Sequence, residues 1–186
     1  MHINHRPIGP GHPPYIIAEM SANHNGSLQT AFRIIDEAKK AGADAVKIQS
    51  YTADTITLPC ASEDFMIRGG LWDGQSLYRL YQKAHMPWEW HQPLFDYARA
   101  AGITLFSSPF DESAVELLES LDAPAYKIAS FEAVDLPLIR RAARTGKPLI
   151  ISTGMADAEE IAEAVEQHYQ PRFAGDNLPN GKVATA

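Results

Sequence analysis

Two lysines lie inside apolar runs of the sequence. Lys47 stands within residues 44–49 (DAVKIQ), and Lys127 stands within residues 125–129 (AYKIA). Such a lysine can bury its stem while its ammonium group reaches water, or it can form a Schiff base with a carbonyl substrate, as in aldolases. Two of them can also act together as cations that bind an anionic substrate. Serine hydroxyls close by favour the pair of cations, because a Schiff-base enzyme needs only one such lysine.

Other polar residues stand at or just after the ends of predicted strands. They are Glu19, Gln49, Ser107, Ser108, Ser130, Glu132, Ser152 and Thr153. In a barrel of alternating strands and helices, the carboxyl ends of the strands form the active-site face. We therefore expect these residues to lie on that face, with Ser108, Ser130 and Ser152 near the two lysines. Glu19 has two interpretations, a structural carboxylate that neutralises a lysine or a group that positions water or relays a proton.

These residues are positioned by a repeated strand–helix pattern. Apolar runs predict strands at residues 15–20, 44–49, 103–106, 125–129 and 148–152. Helical spacing of apolar residues predicts helices at 28–41, 88–101, 112–121, 136–144 and 158–168. Ser27 is a plausible N-cap, and glycines at 42, 102 and 146 end three of the helices. Strands that alternate with helices indicate a parallel sheet.

A parallel sheet of this kind is either doubly wound or closed into a barrel. Residues 23–26 (NHNG), after the first strand, lack the G-x-G-x-x-G pattern typical of doubly wound nucleotide-binding sheets. Inward lysines also have room in the mouth of a barrel. The sequence therefore predicts an α/β protein with a TIM (β/α)8-type barrel. A complete barrel needs eight strands and ~250 residues, so residues 1–169 are expected to form about five of the eight strands, and residues 170–186 an irregular tail.

A long insertion separates the second predicted strand from the third. Residues 69–74 (GGLWDG) and the helical residues 77–81 belong to it. The insertion is either a loop and helix that pack over the barrel through aromatic residues or a lid that shapes the substrate pocket.

Composition limits the classes of protein. The 186 residues are 45% apolar and 21% charged, as in ordinary globular proteins. A net charge of -7 argues against nucleic-acid binding, and no apolar run approaches the ~20 residues of a membrane span. The single cysteine, Cys60, excludes an internal disulfide framework and favours a cytoplasmic location. No spacing of His, Asp or Glu typical of a metal site is present, and His24 is interpreted as a residue of a turn.

Several motifs, in the same order along the chain, resemble the sialic acid synthase family. They are residues 17–27 (IAEMSANHNGS), 44–49 (DAVKIQ), 106–111 (FSSPFD), 126–130 (YKIAS) and 151–155 (ISTGM). Three further segments resemble the pseudaminic acid synthase branch of that family. They are residues 21–26 (SANHNG), 69–74 (GGLWDG) and 87–91 (PWEWH).

The resemblance implies a phosphoenolpyruvate-dependent synthase that condenses this substrate with an amino sugar. It implies that Lys47, Gln49, Ser108, Lys127, Ser130 and Ser152 bind phosphoenolpyruvate. It also implies that Glu19 lies near the reacting C2 atom and that Glu132 faces the cationic intermediate or the attacking water. For full-length relatives it implies a divalent metal (Mn²⁺, or Mg²⁺ or Co²⁺) and a homodimer.

The chain also departs from the family pattern. The histidines that bind the metal in the family come from later strands, so no metal ligand is expected in this chain. The C-terminal antifreeze-like (SAF) domain is expected to be absent as well. The chain is therefore expected to be a truncated form, inactive and poorly folded because the open barrel leaves a strand edge unpaired. N-acetylneuraminate synthase with N-acetylmannosamine as acceptor, a Schiff-base aldolase using Lys127, and an inactive fragment that only binds phosphoenolpyruvate are the alternatives.

Overall fold

The computed structural model describes residues 1–169, so the predicted tail at residues 170–186 lies outside the described part of the chain. It contains a short antiparallel hairpin followed by a five-stranded parallel sheet. The hairpin strands are β1 (His2–Ile3) and β2 (Arg6–Pro7). The strands of the sheet are β3 (Ile17–Glu19), β4 (Ala45–Ser50), β5 (Thr104–Pro109), β6 (Tyr126–Ile128) and β7 (Leu149–Ile151).

The order of the strands in the sheet is the same as their order along the chain, β3-β4-β5-β6-β7. A doubly wound sheet reverses its order at a switch point, where ligands bind. An unreversed order is the arrangement of a (β/α) barrel, with the helices on one face of the sheet and an interior on the other. Within the described residues, β3 and β7 each pair with one parallel neighbour, so the sheet is about half of a barrel.

Seven α-helices accompany the strands within residues 1–169. They are α1 (Leu28–Lys40), α2 (Ala53–Ile56), α3 (Leu77–Ala84), α4 (His91–Ala101), α5 (Glu112–Ser120), α6 (Leu136–Ala143) and α7 (Ala158–Tyr169). Each of the five predicted helices is confirmed, with bounds that differ by a few residues. The helix predicted from residue 88 begins as a 3₁₀ turn, Trp88–Trp90, and continues as α4. No helix in this part of the chain is both long and apolar enough to cross a bilayer.

Helix α1 shows how local sequence defines a helix. The Ser27 hydroxyl oxygen accepts the backbone N–H of Thr30 at 3.2 Å, as the N-cap prediction requires. Ala31 and Ile35 face the sheet and are fully buried. At the other end Gly42 adopts a φ of 87°, a backbone conformation that residues with a side chain rarely adopt. Its N–H donates to Lys39 O at 3.0 Å. The chain then turns directly into β4.

Side chains along each strand point alternately to the two faces of the sheet, and the core is accordingly divided into two clusters. Outward residues such as Val46, Ile48 and Leu105 pack with the helices in the larger cluster. Inward residues form a smaller cluster with the hairpin. Its buried members are Ile3, Ala45, Phe106 and Ala125. Because successive side chains on a strand point to opposite faces, the residues two positions beyond Ala45, Phe106 and Ala125 also point inward.

The insertion between β4 and α4 packs at the carboxyl end of the sheet. The ring of Tyr51, directly after β4, contacts those of Tyr81 in α3 and Phe110 after β5, with centroid distances of 5.6 and 5.4 Å. Tyr78 donates from its hydroxyl to Asp54 Oδ1 at 2.8 Å and so joins α3 to α2. The aromatic packing that the sequence predicted is present, and the role of a lid stays a prediction.

Ile3 is the residue by which the hairpin closes the lower end of the interior. It is 1% exposed against Phe106, although sequence patterning did not predict the hairpin. We expect Ile3→Ala to lower the free energy of unfolding by about 2–4 kcal/mol, since it opens a cavity in a dry cluster. Ile16→Ala is the matched control, because Ile16 is 53% exposed. Equal losses for the two variants in urea unfolding would contradict this role of the hairpin.

Candidate active site

A carboxylate, an ammonium group and a hydroxyl meet at the carboxyl ends of β3, β4 and β5. Glu19 and Lys47 are register partners on neighbouring strands, which places their side chains on the same inner face. Lys47 Nζ lies 3.0 Å from Glu19 Oε2 and 3.4 Å from Ser108 Oγ. The side chain of Lys47 is 7% exposed, whereas that of Glu19 is 57% exposed. The charge of the lysine is therefore buried, and its counter-ion stands at the rim.

A second lysine and serine meet between β6 and β7. The ammonium group of Lys127 donates to the hydroxyl of Ser152 and to the carbonyl of Ile128, the latter at 3.0 Å. Ser152 lies two residues beyond Ile150, the register partner of Lys127, and thus points to the same side. Burial lowers the pKa of Lys127, and the positive charge of Lys47 lowers it further. The two lysines thus share one electrostatic environment.

Glu132 lies in the 3₁₀ turn Phe131–Val134 that follows β6. Its Oε2 atom is buried and has no hydrogen-bond partner. Burial raises the pKa of Glu132, the charge of Asp135 raises it further, and the charge of Lys127 opposes the rise. A carboxylate of this kind takes up a proton more readily than an exposed glutamate, so it is suited to proton transfer.

The remaining predicted binding residues have weaker support from contacts. Gln49 is the register partner of Ser108 and is half-buried on the inner face. Ser130 follows β6 and precedes the turn that carries Glu132, and it makes no side-chain capping bond there. Both residues lie at the carboxyl end of the sheet.

Ser107 is a polar strand-end residue that does not belong to this cluster. It points to the helix side of β5, opposite to Ser108. There the structure shows a buried network that the sequence did not predict, in which the Ser50 hydroxyl lies 2.7 Å from both Ser107 Oγ and His91 Nε2. Ser107 is at the strand end as predicted, but it is separated from Ser108 because neighbouring residues of a strand face opposite ways. The same alternation, applied to Ser50 and Ser107 together, was the signal available in the sequence.

The histidines and acidic residues do not assemble a metal site. Among residues 1–169, no three His, Cys, Asp or Glu side chains are arranged so as to hold a metal ion. His24 is 1% exposed, its Nδ1 atom accepts the N–H of Gly26 at 3.1 Å, and its ring packs edge-on against Trp90. The interpretation of His24 as a residue of a turn agrees with these contacts. The described side chains do not fit the divalent cation that the resemblance implies.

The inner face as a whole offers two cations, each with a hydroxyl, and a carboxylate on either side. It can bind a small molecule with two anionic groups and can exchange a proton with it. Comparison with known proteins identifies the family of the chain. The chain matches the NeuB family over residues 34–176. It belongs to the NeuB family.

Relatives within the family differ in their similarity to this NeuB chain. It is 53% identical over 153 residues to pseudaminic acid synthase from Helicobacter pylori, a match that covers 82% of the chain and 45% of the relative. It is 54% identical to the enzyme of that name from Campylobacter jejuni serotype O:2, covering 82% of the chain and 44% of the relative. The chain thus spans about half the length of these relatives. The family and branch inferred from the sequence are confirmed.

A solved relative supports the fold. The crystal structure of N-acetylneuraminic acid (sialic acid) synthetase from Leptospira borgpetersenii superposes with a TM-score of 0.77 at 30% identity. The match covers 92% of the NeuB chain and 55% of the solved chain. The predicted α/β class, with an incomplete TIM-type barrel of five strands, is confirmed.

Removing Glu19 and removing Lys47 from their ion pair should change the stability of the protein by different amounts. Glu19→Gln leaves a buried ammonium group without its counter-ion, and we expect a loss of about 1–2 kcal/mol of stability. Lys47→Met leaves Glu19 at the surface, where water solvates it, and we expect stability to be unchanged or higher. Urea unfolding of both variants at pH 7 measures the difference, and a Lys47→Met variant that is the less stable of the two would contradict it.

Glu132 should limit stability at neutral pH. A folded-state pKa raised above the usual value contributes stability below the unfolded pKa, and that contribution is lost as the pH rises through the folded pKa. We therefore expect Glu132→Gln, which resembles the neutral acid, to be more stable than the wild type at pH 7 and equal to it below the unfolded pKa of about 4.3.

Unfolding free energies of the wild type and the variant between pH 4 and 8 test this expectation. Glu163→Gln serves as the control, because Glu163 is exposed on α7 and its replacement should change stability by less than about 0.5 kcal/mol. A Glu132→Gln variant that is less stable than the wild type at pH 7 would show that the carboxylate is stabilised by its surroundings.

Proposed function

We propose that the chain carries the phosphoenolpyruvate-binding part of a pseudaminic acid synthase. The reaction joins phosphoenolpyruvate to 2,4-diacetamido-2,4,6-trideoxy-altrose and releases pseudaminic acid and inorganic phosphate. The observation that carries the proposal is a pair of lysines, one buried and one half-buried, each hydrogen-bonded to a serine on the inner face of the sheet. Identity supports the choice within the family, since it is 53% to a pseudaminic acid synthase and 30% to an N-acetylneuraminic acid synthetase.

The chemistry of phosphoenolpyruvate suits the observed groups. The molecule has a phosphate and a carboxylate on adjacent positions, and two ammonium groups can neutralise both. Ser108 and Ser152 each stand beside one lysine and can donate a hydroxyl hydrogen to an anionic oxygen. Gln49 and Ser130 supply further donors at the same end of the sheet. Because Lys47 and Ser108 are buried, their contacts are stronger than they would be at the surface.

The reaction can be followed atom by atom. C3 of phosphoenolpyruvate forms a bond to the aldehyde carbon of the open-chain sugar, and the aldehyde oxygen takes up a proton. C2 becomes an oxocarbenium ion, which water attacks. Glu132 faces this centre as an ionised carboxylate that stabilises the cation and accepts a proton from the water. The C2–O bond to phosphate then breaks as the C2 hydroxyl gives its proton to the departing phosphate, which restores a carbonyl at C2. Glu19, which pairs with Lys47, is proposed to lie near the same carbon.

Three other features stay predictions. One is the divalent cation, for which residues 1–169 bring together no group of side chains that would hold it. The homodimer of full-length relatives and the cytoplasmic location are likewise untested. The proposal concerns substrates that the inner face of the sheet can bind by itself.

A Schiff-base aldolase that uses Lys127 is the second candidate function. The lowered pKa of Lys127 is also what a Schiff-base lysine requires. Incubation with pyruvate and borohydride would then attach the pyruvate carbons to Lys127 and increase the mass of the protein. An unchanged mass would exclude this class.

Release of phosphate tests the main proposal. Because this chain alone is expected to be inactive, it is assayed as part of a full-length synthase. That protein is incubated with phosphoenolpyruvate, a divalent cation and either the altrose derivative or N-acetylmannosamine, and inorganic phosphate and nonulosonic acid are measured. We expect product with the altrose derivative and a loss of about 100-fold or more for Lys47→Met and Lys127→Met, because each removes a charge opposite an anionic group. Lys40→Met is the control, since Lys40 is exposed on α1.

Each other result has a definite meaning. Product from N-acetylmannosamine alone would assign the chain to N-acetylneuraminate synthesis. Heat of binding for phosphoenolpyruvate without phosphate release would favour the binding-only fragment. Unchanged turnover in both lysine variants would overturn the assignment of the site.

A further inference from the structure

Three polar side chains form a buried hydrogen-bond network behind the candidate site, on the helix side of the sheet. Ser50 ends β4, Ser107 lies in β5 and His91 begins α4, and all three are 0% exposed. The Ser50 hydroxyl lies 2.7 Å from His91 Nε2 and 2.7 Å from Ser107 Oγ. His91 Nδ1 lies 3.2 Å from the carbonyl oxygen of Trp88. The network therefore ties the end of the insertion to the carboxyl ends of two strands.

The direction of each hydrogen bond follows from the groups available. The Trp88 carbonyl can only accept, so His91 Nδ1 carries the hydrogen and donates it. Burial lowers the pKa of His91, which favours the neutral ring, and its Nε2 atom is then an acceptor. The Ser50 hydroxyl must donate its single hydrogen to Nε2, so its oxygen accepts from Ser107. The order is Ser107 to Ser50 to His91 to the carbonyl of Trp88.

This chain of hydrogen bonds links β4 and β5 through their side chains at the point where the site begins. Ser50 follows Gln49 and Ser107 precedes Ser108, and Gln49 and Ser108 are register partners on the inner face. On the other side of β5, pairing with β6 consists of a single register pair, Ser107 with Tyr126. Backbone pairing with β4 reaches Ser50 and Pro109, and the network adds a side-chain link to it at the mouth end of β5. The contact it protects is long, 3.4 Å from Lys47 Nζ to Ser108 Oγ, so a shift of a few tenths of an ångström would break it.

We propose that Ser50, His91 and Ser107 are positioning residues that hold Ser108 and Gln49 in place for the anionic substrate. They act through the backbone of β4 and β5 and do not touch the substrate. The identity of that substrate as phosphoenolpyruvate rests on the function proposed above, whereas the positioning of the strand ends does not.

Two substitutions of His91 separate positioning from simple loss of packing. His91→Leu removes the acceptor for Ser50, whereas His91→Gln keeps an acceptor at a similar reach. In the full-length synthase used above, we expect His91→Leu to raise KM for phosphoenolpyruvate about 10-fold, with kcat and the KM for the sugar changed by less than about threefold. His91→Gln should restore KM to within about threefold of the wild type.

Leu118→Ala is the matched control for lost stability. Leu118 is 0% exposed in the large cluster, on α5, and it is not part of the network. Its replacement should lower the melting temperature at least as much as His91→Leu does, while KM for phosphoenolpyruvate stays at the wild-type value. A KM that rises equally in Leu118→Ala and His91→Leu, or equally in the leucine and glutamine variants, would overturn the proposal.

A spectroscopic measurement distinguishes failure of this inference from failure of the proposed function. In ¹⁵N spectra of the ligand-free protein, His91 should show a protonated Nδ1 and an unprotonated Nε2. The backbone amide signals of Gln49 and Ser108 should shift in His91→Leu and return in His91→Gln. If the wild type does not use phosphoenolpyruvate but these shifts appear, the proposed function fails and the positioning stands. If the shifts are absent, the positioning fails whatever the substrate is.

Discussion

The placement of two ammonium groups on the inner face of one parallel sheet is the constraint on which the rest of the site depends. Lys47 is almost completely buried, and its charge lowers the pKa of Lys127. Such an arrangement opposes folding unless hydroxyls, carbonyls and carboxylates offset the repulsion. Ser108, Ser152 and the carbonyl of Ile128 supply part of that compensation, and Glu19 supplies a counter-ion at the rim. An anion with two charged groups would complete it.

Strand alternation makes this arrangement possible. β4 places Val46 and Ile48 against the helices and Ala45 and Lys47 in the interior. The lower part of that interior is apolar and is closed by Ile3 of the hairpin. The upper part is polar and opens towards the insertion, where Tyr51, Tyr81 and Phe110 pack. One face of each strand therefore changes from core to site within two residues.

Much of the fold could be predicted from the sequence because its signals are local. Ser27 and Gly42 mark the ends of α1 by hydrogen bonds within a few residues, and the apolar spacing of α1 identifies the face that packs on the sheet. The hairpin β1–β2 could not be predicted in this way. Its strands are two residues each, too short for a period-two pattern, and Ile3 is buried by Phe106, about a hundred positions away in the chain.

For the candidate site, the sequence by itself determined the types of residue, their positions at strand ends and their resemblance to a family. Those features depend on neighbouring residues and on motifs that can be read in order. Only the tertiary structure decided which side chains meet. It paired Lys47 with Glu19 and Ser108, joined Lys127 to Ser152, and separated Ser107 from Ser108 although they are adjacent. The physical reason is that parallel strands bring distant residues together through register, and their pleat sends adjacent residues apart.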